Sequence, residues 1–180
     1  NSESRAGIRQ AVTARRRPAD AAVRTAAAYA ARSDAFIRRW GRRAQRCPAL
    51  LRELLMLAGP CAAVLDLGCG AGQDARFLLA KRHHVVGVDL TWPLLAYARR
   101  HSRRVPLVQG DMRALPFRPG AFDAIWAAAS LIHLPKPAAR RLLRALRTMV
   151  PRGGLLAATV AQGRHAGFLR TGWIPGRYFA

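Results

Sequence analysis

The feature that most constrains this chain is Val64-Leu65-Asp66-Leu67-Gly68-Cys69-Gly70-Ala71-Gly72, an apolar run that closes on an acid and then on three glycines at alternate positions. It reads as a buried strand breaking into a ligand-binding turn, because backbone that cradles a ligand needs unusual dihedrals and no side chains in the way. A second apolar run, Val85-Val86-Gly87-Val88, ends at Asp89. Asp89 follows the last glycine at close to the ~20 residues expected for a carboxylate gripping a ribose in a Rossmann-like unit. A third run, Val105-Pro106-Leu107-Val108-Gln109-Gly110, ends at Asp111-Met112. Three successive strands thus deliver an acid to one edge of a sheet, where open α/β sheets bind ligands.

The scarcity of acids sharpens this reading. Nine of 180 residues are Asp or Glu, and from Val64 onward only Asp66, Asp74, Asp89, Asp111 and Asp123 remain. Three of those five close a predicted strand; the competing reading is that Asp is also a common turn residue. Between and beyond these strands the pattern predicts a helix to about Lys81, a helix opened by Thr91 with Pro93 in its first turn, a fourth strand near Phe122 to Ala128, a helix over Pro135 to Val150 and a fifth strand near Gly154 to Val160. Strands alternating with helices imply parallel pairing by right-handed crossovers, hence an α/β, Rossmann-like doubly wound sheet.

The formal charge of +22 would ordinarily point to nucleic acid. Of the 31 basic residues, however, all but Lys81 and Lys136 are Arg, which suggests a coding bias and weakens the charge as evidence for RNA. Arg140, Arg141, Arg144 and Arg147 fall opposite Leu142, Leu143, Leu146 and Val150, as on the solvated face of a helix. No apolar run approaches the ~18 residues of a membrane span and no leader opens the chain, so the expectation is a soluble, cytoplasmic protein. Cys47, Cys61 and Cys69 have neither disulfide nor zinc-site spacing, and no metal is expected.

The run Asp66 to Gly72, then Gly87-Val88-Asp89, Gly110-Asp111-Met112 and Phe122-Asp123-Ala124-Ile125-Trp126, with Pro151-Arg152-Gly153-Gly154 leading into strand five, resembles the class I S-adenosylmethionine-dependent methyltransferases. The resemblance covers roughly residues 62 to 162 and implies strand order 3-2-1-4-5. It implies a methyltransferase that takes its methyl group from S-adenosylmethionine. The acceptor is unidentified: a small molecule is favoured, with an RNA methyltransferase as the alternative on charge, and a cofactor-binding domain without turnover stays open. An NAD-dependent oxidoreductase is the other alternative, but a dinucleotide fingerprint starting at Gly68 would need glycine where Gln73 stands.

What the resemblance implies can be carried over residue by residue. Gly68, Gly70 and Gly72 would lay backbone against the ribose and methionine parts, and Asp66 would meet the methionine amino group or cap its own turn. Cys69 is a small filler of the loop or a thiol. Asp89 would take both ribose hydroxyls, since a carboxylate has two acceptor oxygens. Leu90 would flank the adenine, Asp111 accept its amino N–H, and Met112 press on the ring. Ala127, ending strand four, would offer backbone to the methionine moiety. If the acceptor must lose a proton, His133 is the candidate base, with loop packing as its competing role.

The domain reading is a basic flexible tail over 1–22, leading helices over 23–58, the cofactor-binding core over 62–162 and a C-terminal loop over 163–180. Among the leading helices, Tyr29, Phe36 and Trp40 share one face of a helix expected from Val23 to about Arg46. Tyr29 is either a cofactor-cleft residue or core packing. No strand-sized apolar run follows strand five, so the last two strands of the family are expected to be missing, leaving an incomplete sheet.

Overall fold

The computed structural model describes residues 20–41, 48–162 and 166–180. Its centre is a five-stranded parallel sheet in the order β3-β2-β1-β4-β5, built from β1 (Ala63–Leu67), β2 (His84–Asp89), β3 (Leu107–Gln109), β4 (Ala124–Ala128) and β5 (Leu155–Thr159). The registers are tight: Leu65 faces Val86 on one side and Ile125 on the other, and Asp89 faces Gln109. The order expected from the resemblance is the order observed.

Alternation along the strands makes two apolar layers. Leu65, Leu67, Ile125 and Ala127 point into a core with Leu142 and Leu146 of α6 (Lys136–Met149). Val64, Ala124 and Trp126 point the other way, into a core with Leu51 and Leu54 of α3 (Ala49–Ala58) and Ala75 and Leu78 of α4 (Gln73–Ala80). This follows from the period of two along a strand. On α6, Ala138, Leu142, Leu146 and Met149 are buried while Arg140, Arg141, Arg144 and Arg147 are exposed. Each buried leucine contributes about 1.5–3 kcal/mol, so the apolar stripe, not the arginines, anchors this helix. The remaining core helix, α5 (Trp92–His101), has Thr91 at its N-cap and Pro93 in its first turn, as expected.

Two expectations are corrected. The single helix foreseen from Val23 is broken: α1 (Ala21–Ala31) ends at Arg32, then come α2 (Ser33–Phe36) and a π-helical turn, Ile37–Gly41. Ser33 and Asp34 compete with helical backbone for hydrogen bonds, which favours a boundary there. The Gly41 carbonyl is then held by Arg76 Nη2 at 2.8 Å and by the Tyr97 hydroxyl at 3.3 Å. Most of the expected tail lies outside the described residues, although its last two positions, Ala21 and Ala22, already belong to α1.

The second correction concerns the segment expected to be a loop without strands. It carries β6 (Gly167–Phe168) and β7 (Tyr178–Phe179), which pair antiparallel with each other and not with β5. Two-residue strands have too little apolar length to be seen as strands in a sequence. This hairpin is docked by Tyr178 N–H donating to Thr25 Oγ1 at 2.9 Å and Ala180 N–H donating to the Ile132 carbonyl at 3.1 Å. Ile174, fully buried, anchors it. Among the described residues, nothing pairs with the outer edge of β5.

Candidate active site

A cavity of about 740 Å³ opens at the carboxyl ends of β1, β2 and β4, roofed by α1, α2 and the β6–β7 hairpin. Of the residues singled out in the sequence, Asp66, Gly68, Cys69, Gly70, Asp89, Leu90, Asp111, Met112 and His133 line it. Gly72 and Ala127 do not. Gly72 is the left-handed N-cap of α4, and a side chain there would meet Ala98 at 2.9 Å. Ala127 is wholly buried in the core, and the next two residues, Ala128 and Ala129, reach the cavity instead.

The glycine loop is shaped by packing as much as by any ligand. Gly68 has φ +80° and a Cβ on it would lie 2.4 Å from Ser130 Cβ. Gly70, φ +52°, has the Phe36 ring 3.1 Å from where its Cβ would be. The loop is tied to β2 by Gly70 N–H donating to Asp89 Oδ2 at 2.8 Å, while Thr91 N–H donates to Asp89 Oδ1 at 2.7 Å. Each Asp89 oxygen accepts one of these backbone bonds, and the Thr91 hydroxyl and Leu90 N–H add further hydrogen bonding to the carboxylate. Burial raises its carboxyl above the ordinary range, against the lowering effect of those N–H bonds.

Asp66 is 2% exposed, and its Oδ2 has no hydrogen-bond partner. Burial, then the charges of Asp74 and Asp89, hold its carboxyl well above the usual range. Asp74 itself accepts from Trp126 Nε1 at 2.7 Å. Two further polar atoms without partners, Gln73 Oε1 and Ser130 Oγ, belong to residues lining the same cavity. Three clustered carboxylates and an unpaired buried oxygen form a negative pole that a cationic ligand would satisfy. S-adenosylmethionine brings both a sulfonium and an ammonium group, so the residues present fit it. Cys69 reads as the filler: it is 4% exposed, and burial pushes its thiol up well above the usual value.

Asp111 lines the cavity, and its carboxylate is also engaged within the chain. Arg113 donates to both of its oxygens, from the backbone and from the guanidinium, and also reaches Asp20. The Arg113 bonds hold the Asp111 carboxyl below the ordinary range. An acid already engaged in this way is a weaker acceptor for an adenine amino group.

His133 sits in a 3₁₀ turn, Leu131–His133, just past β4. Its Nδ1 is 2.7 Å from the Tyr178 carbonyl, which can only accept, so Nδ1 carries the proton. Nε2 is then the acceptor for the Tyr29 hydroxyl at 3.0 Å, and that hydroxyl in turn accepts from Arg177 Nη1 at 3.1 Å. Burial, then the Arg177 charge, lowers the His133 pKa against the opposing Tyr178 bond, and burial raises that of Tyr29. Sequence reasoning weighed Tyr29 and missed Arg177, because nothing local in Gly176-Arg177-Tyr178 announces a partner 148 residues away.

A family profile described as "Methyltransferase domain" matches residues 64–154. The malonyl-[acyl-carrier protein] O-methyltransferase of Legionella pneumophila is 33% identical over 122 residues, covering 65% of this chain and 42% of that protein. An 18S rRNA (guanine-N(7))-methyltransferase of Bos taurus is 39% identical over 66 residues, covering 36% and 23%. The crystal structure of an S-adenosylmethionine-dependent methyltransferase from Mesorhizobium loti aligns with TM-score 0.51 and 27% identity, covering 57% of this chain and 47% of that one. The chain spans less than half the length of each of these proteins.

Proposed function

We propose, for a chain that belongs to the class I S-adenosylmethionine-dependent methyltransferases, that it methylates a small-molecule acceptor held in the cavity between the glycine loop and the β6–β7 hairpin. The observation that carries the reading is the negative pole of Asp66, Asp74 and Asp89 beside a neutral, hydrogen-bonded Tyr29–His133 pair in one cavity. When bound, the cofactor supplies a methyl carbon activated by positive sulfur.

The chain's own residues then align and deprotonate. Asp89 orients the ribose, and Asp66 offers its unpaired Oδ2 to the ammonium group. Leu90 and Met112 flank the adenine. Alignment of two reactants alone can supply ~7–11 kcal/mol of a barrier. Both His133 nitrogens are already bonded, so His133 works through Tyr29: the acceptor's proton passes to the Tyr29 oxygen as the Tyr29 proton passes to His133 Nε2. The bond from Nδ1–H to the Tyr178 carbonyl is kept throughout and holds the ring in place.

The test is calorimetry with S-adenosylmethionine and S-adenosylhomocysteine, followed by a screen for methyl incorporation into a metabolite extract and into total RNA. Asp89→Ala is expected to weaken cofactor binding by about 1–3 kcal/mol, the cost of removing one partner of a buried polar contact. Unchanged affinity in that variant would remove the ribose assignment. Methyl incorporation confined to RNA, persisting at physiological salt, would replace the small-molecule reading with an RNA one.

A further inference from the structure

The cavity has a second pole. Arg177 is 7% exposed and lines the cavity, yet it takes part in no ion pair among the described residues. Its Nε–H donates to the Ile174 carbonyl at 2.9 Å and Nη1 donates to the Tyr29 hydroxyl, and among the described residues Nη2 has no acceptor. Three rings stand around it: the guanidinium carbon is 5.1 Å from the Trp173 and Phe179 centroids and 5.5 Å from that of Tyr29. Ring faces offset part of the cost of burying a cation, but an unpaired buried charge still calls for a counter-ion. Four carboxylates line the same cavity, Asp66, Asp74, Asp89 and Asp111, and Arg177, the one Lys or Arg among the described residues that line it, forms an ion pair with none of them.

We infer that Arg177 is the docking group for a carboxylate carried by the methyl acceptor, so that the substrates are small organic acids with a flat apolar body. The inference rests on the methyltransferase reading. Arg177 is bonded to Tyr29, and Tyr29 to His133, so the anion it holds lies next to the pair that removes the acceptor's proton. The guanidinium matches a carboxylate with two parallel N–H donors. The apolar body is indicated by Phe36 and Trp173, whose stacked rings, 6.0 Å between centroids and 21° apart in plane, line the cavity beside Arg177. The negative pole at Asp66 and Asp89 repels an anion, which orients such a molecule with its carboxylate on the hairpin side.

The experiment uses the full chain saturated with S-adenosylhomocysteine, titrated with benzoate, phenylacetate and 4-hydroxybenzoate and with their primary amides. At least one acid is expected to bind ten-fold or more tightly than its amide. Arg177→Met is expected to erase that preference while holding S-adenosylhomocysteine affinity within about three-fold, which also shows that the variant is folded. Arg177→Lys should keep part of the preference, as a charge without the planar fork. Equal binding of acids and amides, or no binding of any, would overturn the inference. So would a ten-fold loss of S-adenosylhomocysteine affinity in Arg177→Met, which would assign the guanidinium to the cofactor's own carboxylate. Failure of wild-type protein to bind S-adenosylhomocysteine would instead defeat the function reading itself, and this inference with it.

Discussion

At the scale of single residues, the site holds groups whose ionisation is out of balance, and this gives pH dependence a direction. Asp66 binds its proton more tightly in the folded chain than the ordinary value of 3.8 allows. Stability of the ligand-free protein therefore falls as pH rises from 3.8 through the raised native value, because the native state there holds the extra proton. Asp66→Asn removes this loss: its melting temperature is expected to exceed the wild type's by a margin that grows with pH, reaching about 1–3 kcal/mol of stability at neutrality, while S-adenosylmethionine binds more weakly. Parallel melting curves across pH would refute this by showing no divergence. His133 shifts the other way, below 6.5, so activity should rise with pH through that lowered value. Tyr29→Phe and His133→Gln are each expected to cost a factor of roughly 10²–10⁴ in turnover, and the His133 variant should also flatten the acid limb of the rate profile. The pair was half legible in the sequence. His133 follows β4 directly and could be found by position, whereas its dependence on Tyr29 arises from packing that brings α1 across the cavity.

At the scale of elements, most strands and core helices were readable because each carries a strong period and a punctuating residue. Helix α3 falls within the stretch expected to hold leading helices, with Pro48 at its opening and Gly59, at φ +78°, at its close. The break between α1 and α2 was not readable, because Tyr29 and Phe36 keep helical spacing across it and still meet edge to face at 5.6 Å. The glycine loop was placed correctly, but its glycines answer to more than a ligand. Gly68→Ala adds a methyl within 2.4 Å of Ser130 Cβ and forces φ +80° on an alanine. It should destabilise the fold by about 1–3 kcal/mol through overpacking alone, whereas Gly120→Ala, at φ +64° with nothing near its Cβ, carries only the backbone strain. Denaturant midpoints for the two variants, compared at equal slope, separate packing from strain. Equal losses would mean that the contact with Ser130 relaxes freely.

At the scale of the whole molecule, the sheet ends at β5 with its outer backbone edge unpaired among the described residues and Leu156 and Val160 exposed, at 41% and 70%. Such an edge is a template for pairing with another chain. The 180-residue polypeptide is expected to self-associate with rising concentration, and Leu156→Lys to suppress it; sedimentation showing a monomer throughout would contradict this. Parallel pairing was legible in the alternation of strands and helices, and the sheet order in the family resemblance, but the roof over the cavity was not. That roof joins distant stretches of sequence: the bond between Tyr178 and Thr25 spans 153 residues, and that between Tyr29 and His133 spans 104. Closing long loops costs entropy that local helices and adjacent strands do not incur. As the polypeptide emerges from the ribosome, the acids of residues 66 to 89, and β4 with the Trp126 that bonds Asp74, all precede Arg177. The acids proposed to meet the cofactor thus leave the ribosome before the arginine proposed to choose the acceptor.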